Sequence, residues 1–322
     1  MKTAVVLAAG GVVGQAFHLG VLGALADAVG FDARRADVLV GSSAGSLVAA
    51  GLAGGLSASD LRAEMLGEPP SAEGRRIRGS RRAMPRMPAA EPVPTGRRPL
   101  AAGALLHAAR RPWAVRAGAL AGSLLPPGQI GTDMIARGVQ RLHGHEWPER
   151  DLRITAVRAR DTRRVVFGTP GAPTTDVGTA VAASCAIPSY FAPVVVGGEA
   201  YVDGGAHSPS NTDVVLGDHC DLVLVSSPMT VRHSGARVPS ADAALRLGLR
   251  RYLASEVRRL RRGGAHVVVV QPGPDDLPVM GLNPMKGIVA EDVIERAAAS
   301  MRTRLAARPD LADRLSAAMT GA

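Results

Sequence analysis

The strongest chemical signal in the sequence is Gly41-Ser42-Ser43-Ala44-Gly45, which fits the pattern G-x-S-x-G. An apolar run at 37–40 precedes it and a run of small residues follows it, as expected of a strand, a sharp turn and a helix. Such a turn exposes a serine hydroxyl, and the start of the helix favours negative charge that develops beside it. Ser43 is therefore the candidate nucleophile, with Gly41 and Gly45 permitting the bend. A purely structural turn is the alternative.

A second signal is the run Ala9-Gly10-Gly11-Val12-Val13-Gly14, between the first predicted strand and the first predicted helix. Glycines at a helix start expose backbone N–H groups that bind anions. The run lacks the Gly-Lys-Ser/Thr of a P-loop and does not match G-x-G-x-x-G, which disfavours a nucleotide site. Beside a serine nucleophile, fixed N–H donors predict an oxyanion hole for a tetrahedral intermediate.

A serine hydroxyl is a weak nucleophile until a base takes its proton. Asp203-Gly204-Gly205 follows a predicted hairpin and offers a carboxylate at a strand end. The usual α/β-hydrolase order places the serine after several strands, whereas Ser43 follows only the second predicted strand. A triad of Ser43, Asp203 and a histidine stays open as an alternative. Its candidate histidines are His207, His219, His233 and His266.

These three motifs, in this order, resemble the patatin-like phospholipase family. The stretches 182–193 and 201–211 (Ala-Ala-Ser-Cys-Ala-Ile-Pro, then Tyr-Val-Asp-Gly-Gly and Ser-Pro-Ser-Asn) also fit the family pattern. The resemblance implies a dyad in which Asp203 takes the proton of Ser43 directly, with no histidine between them. A free aspartate is a weak base, and a dry, apolar site would raise its pKa.

The resemblance also implies an oxyanion hole and supporting glycines. Gly10, Gly11 and the Val12 N–H would form the hole, and the supporting positions are Gly14, Gly41, Gly45, Gly204 and Gly205. One departure is Val13, where the family commonly carries Arg or Lys before the last glycine of the loop. The backbone donors survive this change, but the positive charge near the oxyanion is lost.

The implied activity is that of a serine hydrolase that cleaves acyl esters of lipids and needs no cofactor. Two alternatives keep the same fold. One is an acyltransferase that passes the acyl group to an alcohol, amine or thiol. The other is a lipid-binding protein without turnover, which the loss of charge at Val13 keeps open.

Alternating apolar runs and helical patterns predict the frame that positions these residues. We expect an α/β three-layer sandwich with a mainly parallel central sheet, in a single domain over residues 1–322. The first predicted helix is Gln15–Val29. The predicted strands are Thr3–Ala9, Asp37–Gly41, Leu152–Arg158, Arg164–Phe167, Val194–Val196, Ala200–Val202, Leu222–Ser226 and His266–Gln271.

The net charge of +10 is concentrated in one stretch. Arg75 to Arg111 holds ten arginines and one acid, Glu91, which gives +9. Its Pro, Gly and Ser content predicts an insertion or cap at about 67–127. Contact with an anionic membrane surface is one interpretation, and a solvated loop is the alternative. Nucleic acid is disfavoured, because aromatic residues are absent among these arginines before Trp113.

Composition limits the remaining possibilities. Hydrophobic residues make up 46% and charged residues 20%, as in folded globular proteins. The two cysteines, Cys185 and Cys220, cannot form a disulfide scaffold and predict buried thiols in a reducing compartment. The N-terminal run is short and leads into glycines, so we expect a strand rather than a signal peptide, and cytoplasmic residence, peripheral at the membrane. His143-Gly144-His145 lacks further ligands at a useful spacing, which predicts surface histidines and no metal site.

Overall fold

The alternating pattern builds a mixed sheet with helices on both faces. The structure, a computed structural model, describes residues 1–79, 116–232, 241–281, 283–285 and 290–320. Its strands are β1 (Thr3–Leu7), β2 (Val38–Ser42), β3 (Asp151–Arg158), β4 (Arg164–Phe167), β5 (Val194–Val196), β6 (Glu199–Asp203), β7 (Leu222–Ser226) and β8 (His266–Val270). Five of them run parallel in the order β3-β2-β1-β7-β8. β4 and β6 pair antiparallel with β3, and β5 pairs antiparallel with β6.

Helices of the described residues cover the sheet and its C-terminal edge. They are α1 (Gly11–Val29), α2 (Ala44–Ala53), α3 (Ala58–Leu66), α4 (Ala72–Gly79), α5 (Ala117–Leu124), α6 (Asp133–His143), α7 (Val177–Ser184), α8 (Ala241–Arg262), α9 (Leu277–Met280), α10 (Ala290–Ala306) and α11 (Pro309–Thr320). Single helical turns follow β6 at 204–206 and 212–215.

Alternate side chains of the central strands enter two separate cores, because successive residues of a strand point to opposite faces. Val5 and Leu7 of β1 pack on the side that carries α1, α2, α7 and α10. Ala4 and Val6 pack on the opposite side, against apolar residues of α8. The three layers confirm the predicted α/β sandwich with a mainly parallel sheet.

One edge of β3 holds two strands placed end to end. Ile154 and Ala156 both pair with β4 on one side of β3. On the other side Ile154 pairs with β2, whereas Ala156 pairs with β6. Ser42 at the end of β2 lies opposite Thr155, and Asp203 at the end of β6 lies opposite Ala156. The residue after β2 and the last residue of β6 therefore meet at neighbouring positions along β3.

The predicted start of the first helix is wrong by four residues. α1 begins at Gly11 rather than Gln15, and the Gly14 N–H donates to Gly10 O at 2.8 Å. Tertiary packing of α1 against the sheet outweighs the low helix propensity of the glycines. The glycine run is thus the first turn of a helix, not a separate loop.

The prediction of two surface histidines at 143 and 145 is wrong for His143. Its side chain is buried, and its Nε2 donates to Ala50 O at 2.8 Å. The residue lies on the inner face of α6, beside Val139 and Leu142, which faces the core. The hydrogen bond from His143 in α6 to Ala50 in α2 accounts for the buried position of this histidine, and no metal is needed to explain it.

Both ends of the segment predicted as an insertion or cap, 67–127, are described. Near its start the Ser71 N–H donates to the Asp60 carboxylate at 2.8 Å, next to α4. Near its end α5 lies over the turn at 204–206, where Gly118 approaches the backbone of Ala206. Residues 80–115, with most of the predicted basic stretch, lie outside the described residues.

Among the described helices, α1 is the one with the length and apolar composition to cross a membrane. Its surroundings explain that composition, because Phe17, Leu22 and Leu25 are buried in the core that α1 shares with the sheet and α10. We therefore assign α1 as a core helix.

The glycine that ends the G-x-S-x-G motif offers a test of how closely α2 approaches β1. A Cβ on Gly45 would overlap the carbonyl oxygen of Leu7, whereas a Cβ on Gly23 in α1 meets nothing within 4 Å. We expect Gly45→Ala to lower the free energy of unfolding by about 3 kcal/mol or more. Gly23→Ala should leave it unchanged or raise it by up to about 1 kcal/mol. Denaturant titration measures both, and equal stability of the two variants would contradict the packing described.

Candidate active site

Ser43 stands at the turn between β2 and α2 in a conformation rarely adopted by residues other than glycine. Its φ is 51° and its ψ is −124°. The Ser43 N–H donates to Ser184 Oγ at 2.8 Å, and Ser43 O accepts from the N–H and Oγ of Ser46 at 2.8 and 2.6 Å. These bonds hold the backbone of Ser43 in its strained conformation.

The two glycines of the motif are required by close packing. A Cβ on Gly41 would overlap the backbone of Ser46, and one on Gly45 would overlap that of β1. Gly41 therefore lets the turn fold back on itself, and Gly45 lets α2 start directly above the sheet. This is the context that the sequence motif predicts for a serine nucleophile.

Asp203 ends β6 and lies beside Ser43. Its carboxylate accepts a hydrogen bond from the Gly205 N–H at 2.7 Å, and the Ser43 side chain lies close enough to act on the pKa of the carboxyl. Its own N–H donates to Ala186 O at 2.9 Å. Burial raises the pKa of Asp203 to about 6, although the nearby Ser43 side chain and the Gly205 N–H oppose that rise. At neutral pH the carboxylate is ionised and is a stronger base than a free aspartate.

None of the histidines in the described part of the chain hydrogen-bonds to Ser43 or Asp203. His207 is nearest in sequence to Asp203, and burial lowers its pKa to about 4. His219 lies just before β7, and His266 is the first residue of β8. Both therefore lie at the amino ends of the parallel strands, whereas Ser43 follows the carboxyl end of β2. His233 lies outside the described residues. The geometry favours a direct Ser43–Asp203 contact over a triad.

The glycine turn presents three backbone donors next to this pair. The N–H groups of Gly10, Gly11 and Val12 have no hydrogen-bond acceptor among the described residues. The Val13 N–H is already bonded to Pro284 O at 3.0 Å. A Cβ on Gly11 would lie 2.5 Å from that same oxygen. The three N–H groups expected to form the oxyanion hole are therefore unpaired among the described residues, whereas the N–H of the next residue, Val13, is paired.

The Val13 side chain has a packing reason to be apolar. It is buried in the core cluster that includes Leu7 and Val48. A charged side chain there would leave the core or remain unpaired within it, at high cost. The departure from the family pattern thus fits the interior of this protein.

His18 holds the strand end that precedes the glycine turn. Its Nε2 donates to Ala8 O at 2.8 Å, and its Nδ1 accepts from Ser226 Oγ at 2.7 Å. Burial lowers the pKa of His18 to about 4, so the ring is neutral at pH 7. This fully hydrogen-bonded histidine positions Ala8 and forms no hydrogen bond with Ser43.

A buried polar cluster ties the two candidate catalytic residues together. The Asn211 side-chain amide donates to Ser42 Oγ at 3.0 Å and to Gly204 O at 3.1 Å. Ser42 precedes Ser43 and Gly204 follows Asp203, so one side chain holds both neighbours. Thr155 Oγ1 lies 2.7 Å from Ser42 Oγ and 3.3 Å from the same amide. Asn211 itself has φ 46°, a left-handed conformation that asparagine tolerates better than most residues.

Glu256 anchors this cluster to the opposite layer. The buried carboxylate of this α8 residue accepts from Ser208 Oγ at 2.6 Å, Ser210 Oγ at 2.7 Å and the Thr212 N–H at 2.9 Å. These bonds fix the backbone on both sides of Asn211. The segment after Asp203 is therefore held by hydrogen bonds to both the sheet and α8.

The structure thus brings Ser43, Asp203 and the glycine turn together. Gly204 and Gly205 line the same junction, where close neighbours leave no room for a Cβ, whereas Gly14 packs against Pro228. Sequence reasoning assigned no role to Ser42, Thr155, Ser184, Asn211 or Glu256. The signal that could have found them is polarity inside otherwise apolar strands and helices, because buried polar groups need partners.

Both candidate catalytic residues are buried. Ser43 exposes 4% of its surface and Asp203 5%. The two cysteines are buried free thiols, as predicted. Within the described ranges, no group of three or more His, Cys, Asp or Glu side chains could hold a metal ion.

Residues 5–216 match the family model of the patatin-like phospholipases. A search of curated proteins found no match. Among solved structures, VipD from Legionella pneumophila is similar with a TM-score of 0.43 and 13% identity, over 95% of this chain and 67% of that one. The type III effector protein ExoU is similar with a TM-score of 0.39 and 18% identity, over 95% of this chain and 53% of that one. The family match includes all three motifs, from the glycine turn to Asp203.

The role of Asn211 as a positioning residue can be tested with a covalent probe. Asn211→Gly keeps the left-handed backbone accessible but removes the amide that links Ser42 and Gly204. We expect the rate at which a fluorophosphonate labels Ser43 to fall about 10²-fold, as for small misplacements of reacting groups. The matched control is His219→Gly, at another left-handed position (φ 51°) on the exposed surface. Equal labelling rates for folded Asn211→Gly and wild type would refute the role.

Proposed function

Because the chain belongs to the patatin-like phospholipase family, we propose that it is a serine hydrolase that cleaves acyl esters of lipids, with Ser43 as the nucleophile and Asp203 as the base. The observation that carries this proposal is that the buried Ser43 and Asp203 meet where β2 and β6 end at neighbouring positions along β3. The unpaired N–H groups of the glycine turn support it. Lipid acyl esters are the substrate class that the family implies.

In the proposed reaction Ser43 Oγ attacks the ester carbonyl carbon while Asp203 takes the hydroxyl proton. The carbonyl oxygen becomes an oxyanion, which the N–H groups of Gly10, Gly11 and Val12 stabilise. The intermediate collapses, the C–O bond to the alcohol breaks, and Asp203 returns the proton to the leaving oxygen. A water molecule, deprotonated by Asp203, then attacks the acyl-enzyme, the bond to Ser43 Oγ breaks to release the fatty acid, and Asp203 returns the proton to Ser43 Oγ.

We also propose peripheral contact with an anionic membrane. The support is the +9 charge of residues 75–111, because clustered arginines bind acidic lipid headgroups. Arg75, Arg76 and Arg78 of this stretch lie in the described α4, and the remainder lies outside the described residues. Such a contact would bring the enzyme to its substrate.

Hydrolysis of a p-nitrophenyl ester series, from short to long acyl chains, tests the two proposed catalytic residues. Ser43→Ala and Asp203→Asn should each lower kcat by 10³-fold or more, because neither the nucleophile nor its base has a substitute. The matched control is Asp161→Asn, which removes a half-buried carboxylate that pairs with Arg158 at the end of β3. This variant should keep full activity. Activity that survives in Asp203→Asn would reject the aspartate base. A wild type that labels at Ser43 and releases no fatty acid, but forms an acylated alcohol when an acceptor alcohol is added, would instead be an acyltransferase.

The pKa of Asp203 sets the expected pH dependence. A protonated carboxyl cannot take the Ser43 proton, so kcat/KM should fall tenfold for each pH unit below about 6 and level off above it. The profile is measured with a short-chain ester in buffers of constant ionic strength. An acid limb near pH 4 would show that Asp203 has the pKa of an ordinary surface aspartate, contrary to this proposal.

A further inference from the structure

The surface next to the candidate active site carries an exposed group of large apolar side chains. Among the described residues six large hydrophobic side chains are exposed, and four of them lie in 125–134 and 187–191. Met134 exposes 79% of its surface, Ile130 50%, and Leu125 and Tyr190 44% each. We call these four residues the apolar rim. Clustered exposure of this kind marks an interaction surface, whereas single exposed residues do not.

The two segments of the apolar rim form one fixed surface. The Ala192 N–H donates to Ile130 O at 2.8 Å, and Ser189 Oγ donates to Pro126 O at 3.2 Å. The Tyr190 and Phe191 rings meet edge to face with centroids 4.7 Å apart. The rim is therefore held by backbone and side-chain contacts between its two parts.

The apolar rim is continuous with the elements that cover the site. The segment 187–191 begins one residue after Ala186, whose carbonyl accepts the Asp203 N–H. In α5, a Cβ on Gly122 would lie 2.9 Å from Pro188. α5 ends at Leu124, and the rim starts at the next residue. A substrate that enters beside α5 would pass the rim first.

Positive charge lies on the same helix face as the most exposed residue of the rim. Arg137 and Arg141 follow Met134 by three and seven residues in α6, a spacing that places all three on one side of the helix. Both arginines are exposed, and neither forms an ion pair within the described part of the chain. Asp133 is the acidic neighbour in the first turn. The opposite face of α6 is buried against α7 and α2.

We infer that the apolar rim docks on an anionic lipid bilayer, with its side chains at the boundary between headgroups and acyl chains and with Arg137 and Arg141 on the headgroups. Apolar side chains beside basic ones on a helix face match that interface. A second copy of the chain fits less well, because a two-fold contact through this face would bring the arginines of both copies together. The inference rests on the proposed function, since a buried site fed with lipid esters needs an entrance at the membrane.

Vesicle binding and soluble-ester hydrolysis, measured on the same variants, test the inference. The full chain is mixed with vesicles of equal parts phosphatidylcholine and phosphatidylserine and sedimented. Ile130→Ser combined with Met134→Ser should lower the partition coefficient at least about tenfold, and Ile130→Leu with Met134→Leu should restore it. Tyr252→Ser, an exposed aromatic residue in α8, is the matched control and should bind as wild type does.

The outcomes separate this inference from the proposed function. The serine variant should hydrolyse a soluble short-chain p-nitrophenyl ester at the wild-type rate while its turnover of vesicle lipid falls with binding. Vesicle binding equal to that of wild type would overturn the inference while leaving the hydrolase proposal intact. A wild-type dimer in solution that the serine variant converts to a monomer, with unchanged vesicle binding, would assign the rim to self-association instead. If vesicle binding depends on the apolar rim but the chain cleaves no ester, the result would support docking through the rim and reject the hydrolase proposal.

Discussion

The end-to-end placement of two strands along one edge of β3 is the constraint on which the site depends. β2 runs parallel to β3 and stops at Ser42, and β6 runs antiparallel and stops at Asp203. Two strands that approach from opposite directions leave a junction at which Ser43 and Asp203 meet. Because the junction lies inside the sheet and is covered by helices, the carboxylate loses its hydration, which raises the pKa of Asp203.

When such a junction is buried, the polar backbone atoms at the strand ends need hydrogen-bond partners from outside the sheet. Each strand end leaves N–H and C=O groups without a ladder partner, and a buried unpaired group costs about 1–3 kcal/mol. The side chains of Asn211 and Ser184 supply partners for Gly204 O and the Ser43 N–H, and Glu256 fixes the segment that carries Asn211. The N–H groups of Gly10, Gly11 and Val12 in the glycine turn have no such partner among the described residues. In the proposed mechanism they are the ones that stabilise the oxyanion.

Much of this arrangement could be predicted from the sequence, and the rest could not for physical reasons. G-x-S-x-G and Asp-Gly-Gly are local patterns, so the sequence alone predicts Ser43 and Asp203 as candidate site residues, and the apolar runs predict the eight strands with most bounds correct to within one residue. The start of α1 was misplaced because glycine propensity favours a loop, whereas packing against the sheet extends the helix. His143 was misjudged because its partner, Ala50 O, is distant in sequence. The links made by Asn211 join residues more than 160 positions apart, which no local pattern reveals.

The central claim is that Ser43 forms an acyl-enzyme with Asp203 as its base and without a histidine. Mass spectrometry of the intact protein, quenched shortly after mixing with a p-nitrophenyl ester, measures this most directly. The account predicts one acyl group on Ser43, formed at the same rate in His207→Gln and wild type and lost in Asp203→Asn. Acylation that persists in Asp203→Asn but disappears in His207→Gln would contradict it.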